Sequence, residues 1–253
     1  MAWSHYHERA PVVAAMQTAN EATSNHPAED AAKSEPAVAQ AEPPAEAAEA
    51  HINPRVAASM KHLNIAAGKS ILEQTVDTLI SAQFTHEQKQ AAWKQLQDGG
   101  KLDQAITALE QRVAGDPTSP EIVAALGHAY IKKCGMLQDV REQAILAMQA
   151  DKLFDTALGL DPANWEARFT KAVALSYWPA NLNKGEEVIQ HFETLVQQQE
   201  AQAPQPQFAE TYAWLGDQYR KAGRAEDARA IWQRGAELFP SNDGLKTKLA
   251  SVQ

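Results

Sequence analysis

The chain has 253 residues, of which 44% are hydrophobic, and its formal net charge at pH 7 is −9. That length and hydrophobic content are sufficient for one sizeable domain together with unstructured sequence. The acidic balance and the lack of a basic stripe disfavour nucleic-acid binding, because contacts to phosphates require clustered Lys and Arg. The only cysteine, Cys134, excludes an internal disulfide and suits either a reducing compartment or a disulfide-free exported protein.

The acidity is concentrated at the N-terminus. Residues 1–50 contain eight acidic and two basic side chains, a net charge of −6, which leaves −3 for the rest of the chain. Residues 27–50 are mostly Ala, Glu and Pro, without aromatic residues or periodicity. Such a composition cannot bury enough apolar surface to fold. We therefore predict that residues 1–56 form a disordered acidic arm.

No segment approaches the ~20 apolar residues that a membrane span requires, and the recorded start lacks a secretory signal. As written, the sequence predicts a cytoplasmic protein without direct membrane insertion. The alternative is a periplasmic or membrane-anchored protein whose anchor precedes the recorded start, because an Ala/Glu/Pro-rich spacer ahead of a folded region also suits a tethered protein.

Apolar residues at helical spacing follow the arm and predict an amphipathic helix over about 69–83, within a capping region at 57–85. They are Leu63, Ile65, Ile71, Leu72, Val76, Leu79 and Ile80. The alternative is a helix that binds a partner or dimerises. The stretch Ala67-Gly68-Lys69-Ser70 looks like the end of a phosphate-binding loop, but Leu63 stands where that loop requires Gly. Nucleotide binding is therefore disfavoured.

From residue 86 onward, four stretches place small and apolar residues at the spacing expected of two packed helices. A small residue allows the two helices to approach closely, an aromatic residue fills the seam between them, and a following Pro ends the second helix. In chain order the residues are Trp93, Leu96, Gly100, Ala105 and Leu109 in 86–119; Leu126, Gly127, Tyr130, Ala150, Phe154 and Ala157 in 120–164; Trp165, Phe169, Ala172, Leu175, Val188, Phe192 and Leu195 in 165–208; and Tyr212, Leu215, Gly216, Tyr219, Ala228, Trp232 and Pro240 in 209–242.

The last stretch resembles the tetratricopeptide repeat (TPR), whose pattern is W-x2-L-G-x2-Y, then A-x3-F, then P. Tyr212 replaces the Trp of that pattern, and Trp232 replaces the Phe. The resemblance covers about two thirds of the chain and implies an all-α, right-handed solenoid of about four helix-turn-helix repeats. Residues 243–253, with Leu245 and Leu249, are predicted to form a C-terminal capping helix, which repeat arrays need for solubility.

Helix-start signals support this register. They are the capping box Thr85 to Gln88, Ser119 followed by Pro120, Asp139 to Glu142, Asn164, and Ser241.

Two of the repeats depart from the pattern. The one at 120–164 is about 11 residues longer than the last repeat, and its extra sequence predicts one long helix from Val140 to Gly159 after a short loop from Cys134 to Gln138. The one at 165–208 has an irregular joint at 177–183. These insertions either present a binding face or pack against neighbouring helices.

The resemblance also implies that the first helices of the repeats line a concave groove. The residues predicted to face it are Ala124, His128 and Lys132; Phe169, Val173 and Tyr177; and Ala213, Asp217, Arg220 and Lys221. An apolar centre at Phe169, Val173 and Tyr177 is flanked by His128 and by Arg220 and Lys221. Such a groove suits a peptide or helix with apolar anchors and an acidic flank. Alternatively, Phe169 and Val173 pack against a neighbouring helix, or the acidic arm itself occupies the groove.

The sequence shows no catalytic signature, since it lacks HExxH, a Cys pair and G-x-S-x-G. Asp151 and Asp155 lie one helical turn apart near Lys152 and are interpreted as a solvated face. We therefore predict no enzyme activity, no cofactor and no metal. The predicted function is a non-catalytic protein–protein interaction adaptor; the alternative is a membrane-tethered or periplasmic assembly factor for an envelope or cytochrome-biogenesis complex.

Overall fold

The structure is a computed structural model and describes residues 69–251. The predicted arm at 1–56, residues 57–68 of the predicted capping region and the last two residues lie outside this part. The described residues form ten α-helices and one 3₁₀ helix, and they contain no strand. The helices are α1 (Ile71–Ile80), α2 (His86–Asp98), α3 (Leu102–Gly115), α4 (Pro120–Cys134), α5 (Val140–Leu160), α6 (Trp165–Leu175), the 3₁₀ helix (Ala180–Leu182), α7 (Gly185–Glu200), α8 (Phe208–Lys221), α9 (Ala225–Leu238) and α10 (Asp243–Ala250).

Four of the ten helices begin at side-chain caps that the sequence predicts, namely Thr85, Ser119, Asp139 and Asn164. Thr85 and Gln88 form a reciprocal capping box, and the side chains of Ser119 and Asn164 accept hydrogen bonds from the first turns of α4 and α6. The prediction for Ser241 was wrong. Asn242 caps α10 instead, accepting a hydrogen bond from the Leu245 amide at 3.0 Å, because Pro240 and Ser241 belong to a turn that the Asn242 amide closes onto the Phe239 carbonyl.

Successive helices pack tightly where a glycine of one faces an aromatic ring of the next. Gly127 of α4 lies against Phe154 of α5, and Gly216 of α8 lies against Trp232 of α9. Both rings are buried. Because glycine has no Cβ, the helices can approach closely at these positions. The close approach predicted at Gly216 is confirmed.

Helices α1 and α10 cap the two ends of the array. Val76 and Leu79 of α1 are buried in one cluster with Trp93 of α2. At the other end, Leu245 of α10 is buried in the cluster that contains Tyr212. Since the apolar face of α1 is used within the chain, its packing favours a capping helix over a helix that binds a partner.

The long repeat and the irregular joint pack against each other. The predicted long helix is confirmed as α5, which continues to Leu160. Ala144 and Ala147, in its added N-terminal turns, pack with Cys134 of α4 and with Trp178 and Leu182 of the joint. Burial raises the pKa of the Cys134 thiol to about 11. The insertion therefore packs against neighbouring structure, as one of the two interpretations predicted.

A buried lysine joins α5 to α6. The Lys171 side chain is 3% exposed, and its Nζ contacts Asp151 and lies 3.0 Å from Oδ1 of Asp155. Burial acts to lower the pKa of Lys171, but the hydrogen bonds and charges of the two aspartates outweigh it and raise that pKa. Interpreting both aspartates as a solvated face was wrong, because Asp151 is a structural partner of a buried charge.

Replacing Asp151 with alanine is expected to lower the free energy of unfolding by about 2 kcal/mol, because it removes one charged hydrogen-bond partner of a buried ammonium group and leaves the other, Asp155. Asp98→Ala is the matched control, since the Lys94–Asp98 pair is solvent-exposed and such pairs contribute at most ~1 kcal/mol. Urea unfolding measures both changes. Equal losses in the two variants would contradict the structural role of Lys171.

Candidate functional site

The ten residues predicted to line the groove do not form one open surface. Phe169 and Val173 are 2% and 1% exposed, and Ala124 and His128 are also buried. Their side chains belong to the packed interior, as the alternative interpretation of Phe169 and Val173 stated. The prediction of an accessible apolar centre was therefore wrong.

Contacts among α2, α4 and α6 close the region around His128. The Trp93 ring stacks on His128 with centroids 4.9 Å apart, and the Lys89 ammonium lies 2.9 Å from the Glu166 carboxylate. His128 Nδ1 is 3.4 Å from the Thr170 hydroxyl. Burial, with a contribution from the positive charge of Lys132, holds the pKa of His128 well below its usual value. His128 is thus a neutral packing residue at pH 7.

The remaining predicted residues are less buried: Lys132 lies 5.9 Å from the centre of the Trp93 ring, and Tyr177 and Ala213 pack against the cluster that contains Phe169. Lys132 and Tyr177 are half-buried on α4 and in the joint, and Ala213 is half-buried on α8. Asp217 pairs with Lys248 of α10 at 2.5 Å. Arg220 and Lys221 are exposed at the end of α8, where the Arg220 guanidinium lies 5.7 Å from the centre of the Trp232 ring.

An open cleft of about 870 Å³ lies where α2, α6 and α8 begin. We call it the helix-start cleft. Its sides are the turn before α2 and the turn before α8, and the half-buried Trp165 of α6 lies between them. Phe84 on the first turn is 39% exposed, whereas Phe208 at the start of α8 is buried.

Three neighbouring rings pack against Trp165, the aromatic residue at the centre of the cleft. The Trp165 ring stacks on Phe169 at a centroid distance of 4.6 Å and meets the edge of His86 at 5.2 Å. Its centroid lies 6.0 Å from that of Phe208. Phe169, predicted to contact a partner, therefore acts as support for Trp165.

The charge of the cleft is negative. Glu87, Glu166 and Glu210 line it, and no lysine or arginine does. Burial acts to raise the pKa of Glu166, but a hydrogen bond from His86 and the charge of Lys89 outweigh it and lower that pKa. Glu166 is therefore ionised, and the positive charge of Lys89 balances its negative charge.

The two other glutamates have no such partner among the described residues. Within residues 69–251, neither Glu87 nor Glu210 forms an ion pair with a lysine or arginine. Burial raises the pKa of Glu210, and the charge of His86 acts in the opposite direction. Among residues 69–251, no lysine or arginine balances the charges of these two carboxylates.

The donor set of the described residues does not suit a metal, because no group of three His, Cys, Asp or Glu side chains between 69 and 251 could hold an ion. No helix in that range is long and apolar enough to cross a bilayer. What the cleft offers is aromatic surface, carboxylates and side-chain amides.

Solved structures resemble this arrangement of helices. The TPR protein TTC0263 of Thermus thermophilus superposes with a TM-score of 0.52 at 17% identity, over 78% of this chain and 95% of that one. The chain has a TPR fold. The structure of pilF from Pseudomonas aeruginosa gives a TM-score of 0.51 at 17% identity, over 72% of this chain and 69% of that one. No family model and no curated protein matches the chain.

The helix-start cleft lies at one edge of the TPR array, and the sequence interpretation missed most of it. Trp165 was recognised only as a repeat position, and Glu210 and the 201–207 turn were not singled out. A signal was present, since Phe84 and Phe208 each lie within two residues of a helix start. Such positions cluster when the first helices of TPR repeats stack side by side.

Proposed function

We propose that this protein is a non-catalytic protein–protein interaction adaptor that binds a segment of a partner protein in the helix-start cleft. The observation that carries the proposal is an open cleft of about 870 Å³ with aromatic surface between two exposed turns. The TPR fold supports it, since stacked repeats present extended binding surfaces. Aromatic side chains in such surfaces contribute a large share of binding energy.

The polar lining of the cleft suits a peptide better than a small molecule. Small-molecule pockets are lined predominantly by hydrophobic side chains. Here five glutamines line the cleft, namely Gln83, Gln90, Gln202, Gln205 and Gln207. Each side-chain amide both donates and accepts hydrogen bonds, which matches the alternating N–H and C=O groups of an extended main chain.

Replacing Phe84 with alanine is expected to weaken partner binding at least ~10-fold. The variant loses one contact that becomes buried in the complex, and a loss of about 1.4 kcal/mol corresponds to a tenfold weaker affinity. The measurement is affinity capture from native lysate with the full chain, followed by titration of the captured partner. Phe84 is exposed in the free protein, so its loss should leave stability unchanged.

Met148→Ala is the matched control. Met148 lies in the inserted turns of α5, and its side chain is 50% exposed, which is comparable with that of Phe84. It does not line the helix-start cleft. We expect this variant to bind like the unchanged protein. Loss of binding in Met148→Ala with retention in Phe84→Ala would place the binding surface on the insertion and contradict the proposal.

A further inference from the structure

The helix-start cleft carries two carboxylates, those of Glu87 and Glu210, that form no ion pair with a lysine or arginine between residues 69 and 251. Three glutamates line the cleft, and no lysine or arginine does. Such an arrangement leaves a local negative potential that a cationic group can relieve.

Glu210 is one source of this negative potential, and its place in the cleft is defined. It follows Phe208 in the first turn of α8, and it lines the same cleft as Trp165. A half-buried carboxylate without a partner is unfavourable, and an opposite charge at a short distance favours its ionised form. Glu87 lies across the cleft, one residue beyond His86 in the first turn of α2.

The aromatic surface lies between these two acids. Trp165 is held by stacking on Phe169, so its ring is a rigid platform, and Phe84 projects from the neighbouring turn with 39% of its surface exposed. Aromatic faces attract cations as well as apolar groups. The cleft therefore combines an aromatic centre with acidic edges.

We infer that the segment bound in the helix-start cleft is basic and apolar, with a lysine or arginine next to at least one apolar anchor. This inference rests on the proposed adaptor function and names the partner class for the same cleft. It replaces the partner with an acidic flank predicted from the sequence, because Arg220 and Lys221, the basis of that prediction, lie outside the cleft lining. The apolar anchor packs on Phe84 and Trp165, and the cation lies between Glu87 and Glu210.

A random peptide display library sorted on the full chain tests the inference. Recovered peptides are synthesised and titrated against the unchanged protein and the double variant Glu87→Gln, Glu210→Gln. Glutamine keeps the size of each side chain and removes its charge. We expect the recovered peptides to combine Lys or Arg with an apolar neighbour, and the double variant to bind them at least ~10-fold more weakly because two attractive charges are lost.

Two controls isolate charge at the cleft from other effects. Glu226→Gln removes an exposed acid at the start of α9 and is expected to leave affinity unchanged. Raising the ionic strength well above ~0.1 M should weaken binding to the unchanged protein, because exposed charges are then screened. Binding to the double variant should respond much less to salt.

The outcomes separate this inference from the proposed function. Peptides that need Phe84 but lack basic residues, or that bind the double variant equally well, would overturn the inference and leave the adaptor function standing. Recovery of no peptide, or only of peptides that bind Phe84→Ala as tightly as the unchanged protein, would overturn both.

Discussion

Replacing Phe169 with glutamate is expected to unfold the protein. The Phe169 side chain is 2% exposed, stacks on Trp165 and meets the edge of Phe192 at 5.9 Å. Losing a buried phenylalanine costs about 3–5 kcal/mol, and burying an unpaired carboxylate adds further destabilisation. The sum is comparable with the ~5–15 kcal/mol total stability of a typical domain. Circular dichroism and urea unfolding measure the outcome.

Phe84→Glu is the control for this variant. It makes the same change at an exposed rim of the helix-start cleft, where surface substitutions alter stability by about 0.5 kcal/mol or less. We expect it to fold normally and to lose partner binding. A Phe169→Glu protein that unfolds at the same urea concentration as the unchanged protein would place Phe169 on the surface and restore the groove predicted from the sequence.

Gly216→Ala is expected to lower the free energy of unfolding by about 3 kcal/mol. This is the upper end of the usual cost of adding a carbon atom to a well-packed core. An added Cβ would lie 2.1 Å from Nε1 of Trp232. The Trp232 ring is fully buried, and its Nε1 donates a hydrogen bond to the Ala213 carbonyl at 3.2 Å. The ring therefore cannot move aside without losing packing and that hydrogen bond. Thermal and urea unfolding measure the loss.

Gly159→Ala makes the same chemical change without the clash. Gly159 lies in the last turn of α5, and an added Cβ would meet no atom within 4 Å. Alanine is a better helix former than glycine by about 1 kcal/mol, so this variant should be slightly more stable than the unchanged protein. Equal changes in stability for the two substitutions would show that the close packing of α8 against α9 does not require glycine at position 216.

The helix-start cleft gives a physical reason for the buried aromatic residues of α6. Phe169 supports Trp165, and Trp165 in turn separates the two turns that carry Phe84 and Phe208. Residues predicted to touch a partner thus act one layer beneath the proposed contact surface. Their substitution would alter binding through the position of Trp165.

Local signals in the sequence were sufficient to predict the helices and their pairing. Spacing in the last repeat identified the seam formed by Gly216 and Trp232, and the caps at Thr85, Ser119 and Asn164 placed the helix starts. These features depend on residues within about one or two helices of each other. The N-cap of α10 was misplaced by one residue because Ser241 and Asn242 are both good capping residues, and only the turn closed by the Asn242 amide distinguishes them.

The accessible face of the array could not be predicted from these signals. Helical periodicity indicates which residues of α4 and α6 point away from their paired helices. It does not indicate whether another helix covers them. In the structure, α2 reaches across to α6 through Lys89 and Glu166, which are 77 positions apart in the chain. That contact helps to bury His128, and no local sequence pattern predicts it.

By itself, then, the sequence determined the repeat architecture, the helix boundaries to within a few residues and the glycine seams, because each follows from backbone hydrogen bonding and short-range packing. Only the tertiary structure decided that Phe169 and Val173 are interior, that Asp151 partners a buried lysine, and that three helix starts enclose an acidic, aromatic cleft. These features depend on how the helices pack in three dimensions, and the cleft in addition requires residues from separate repeats to come together.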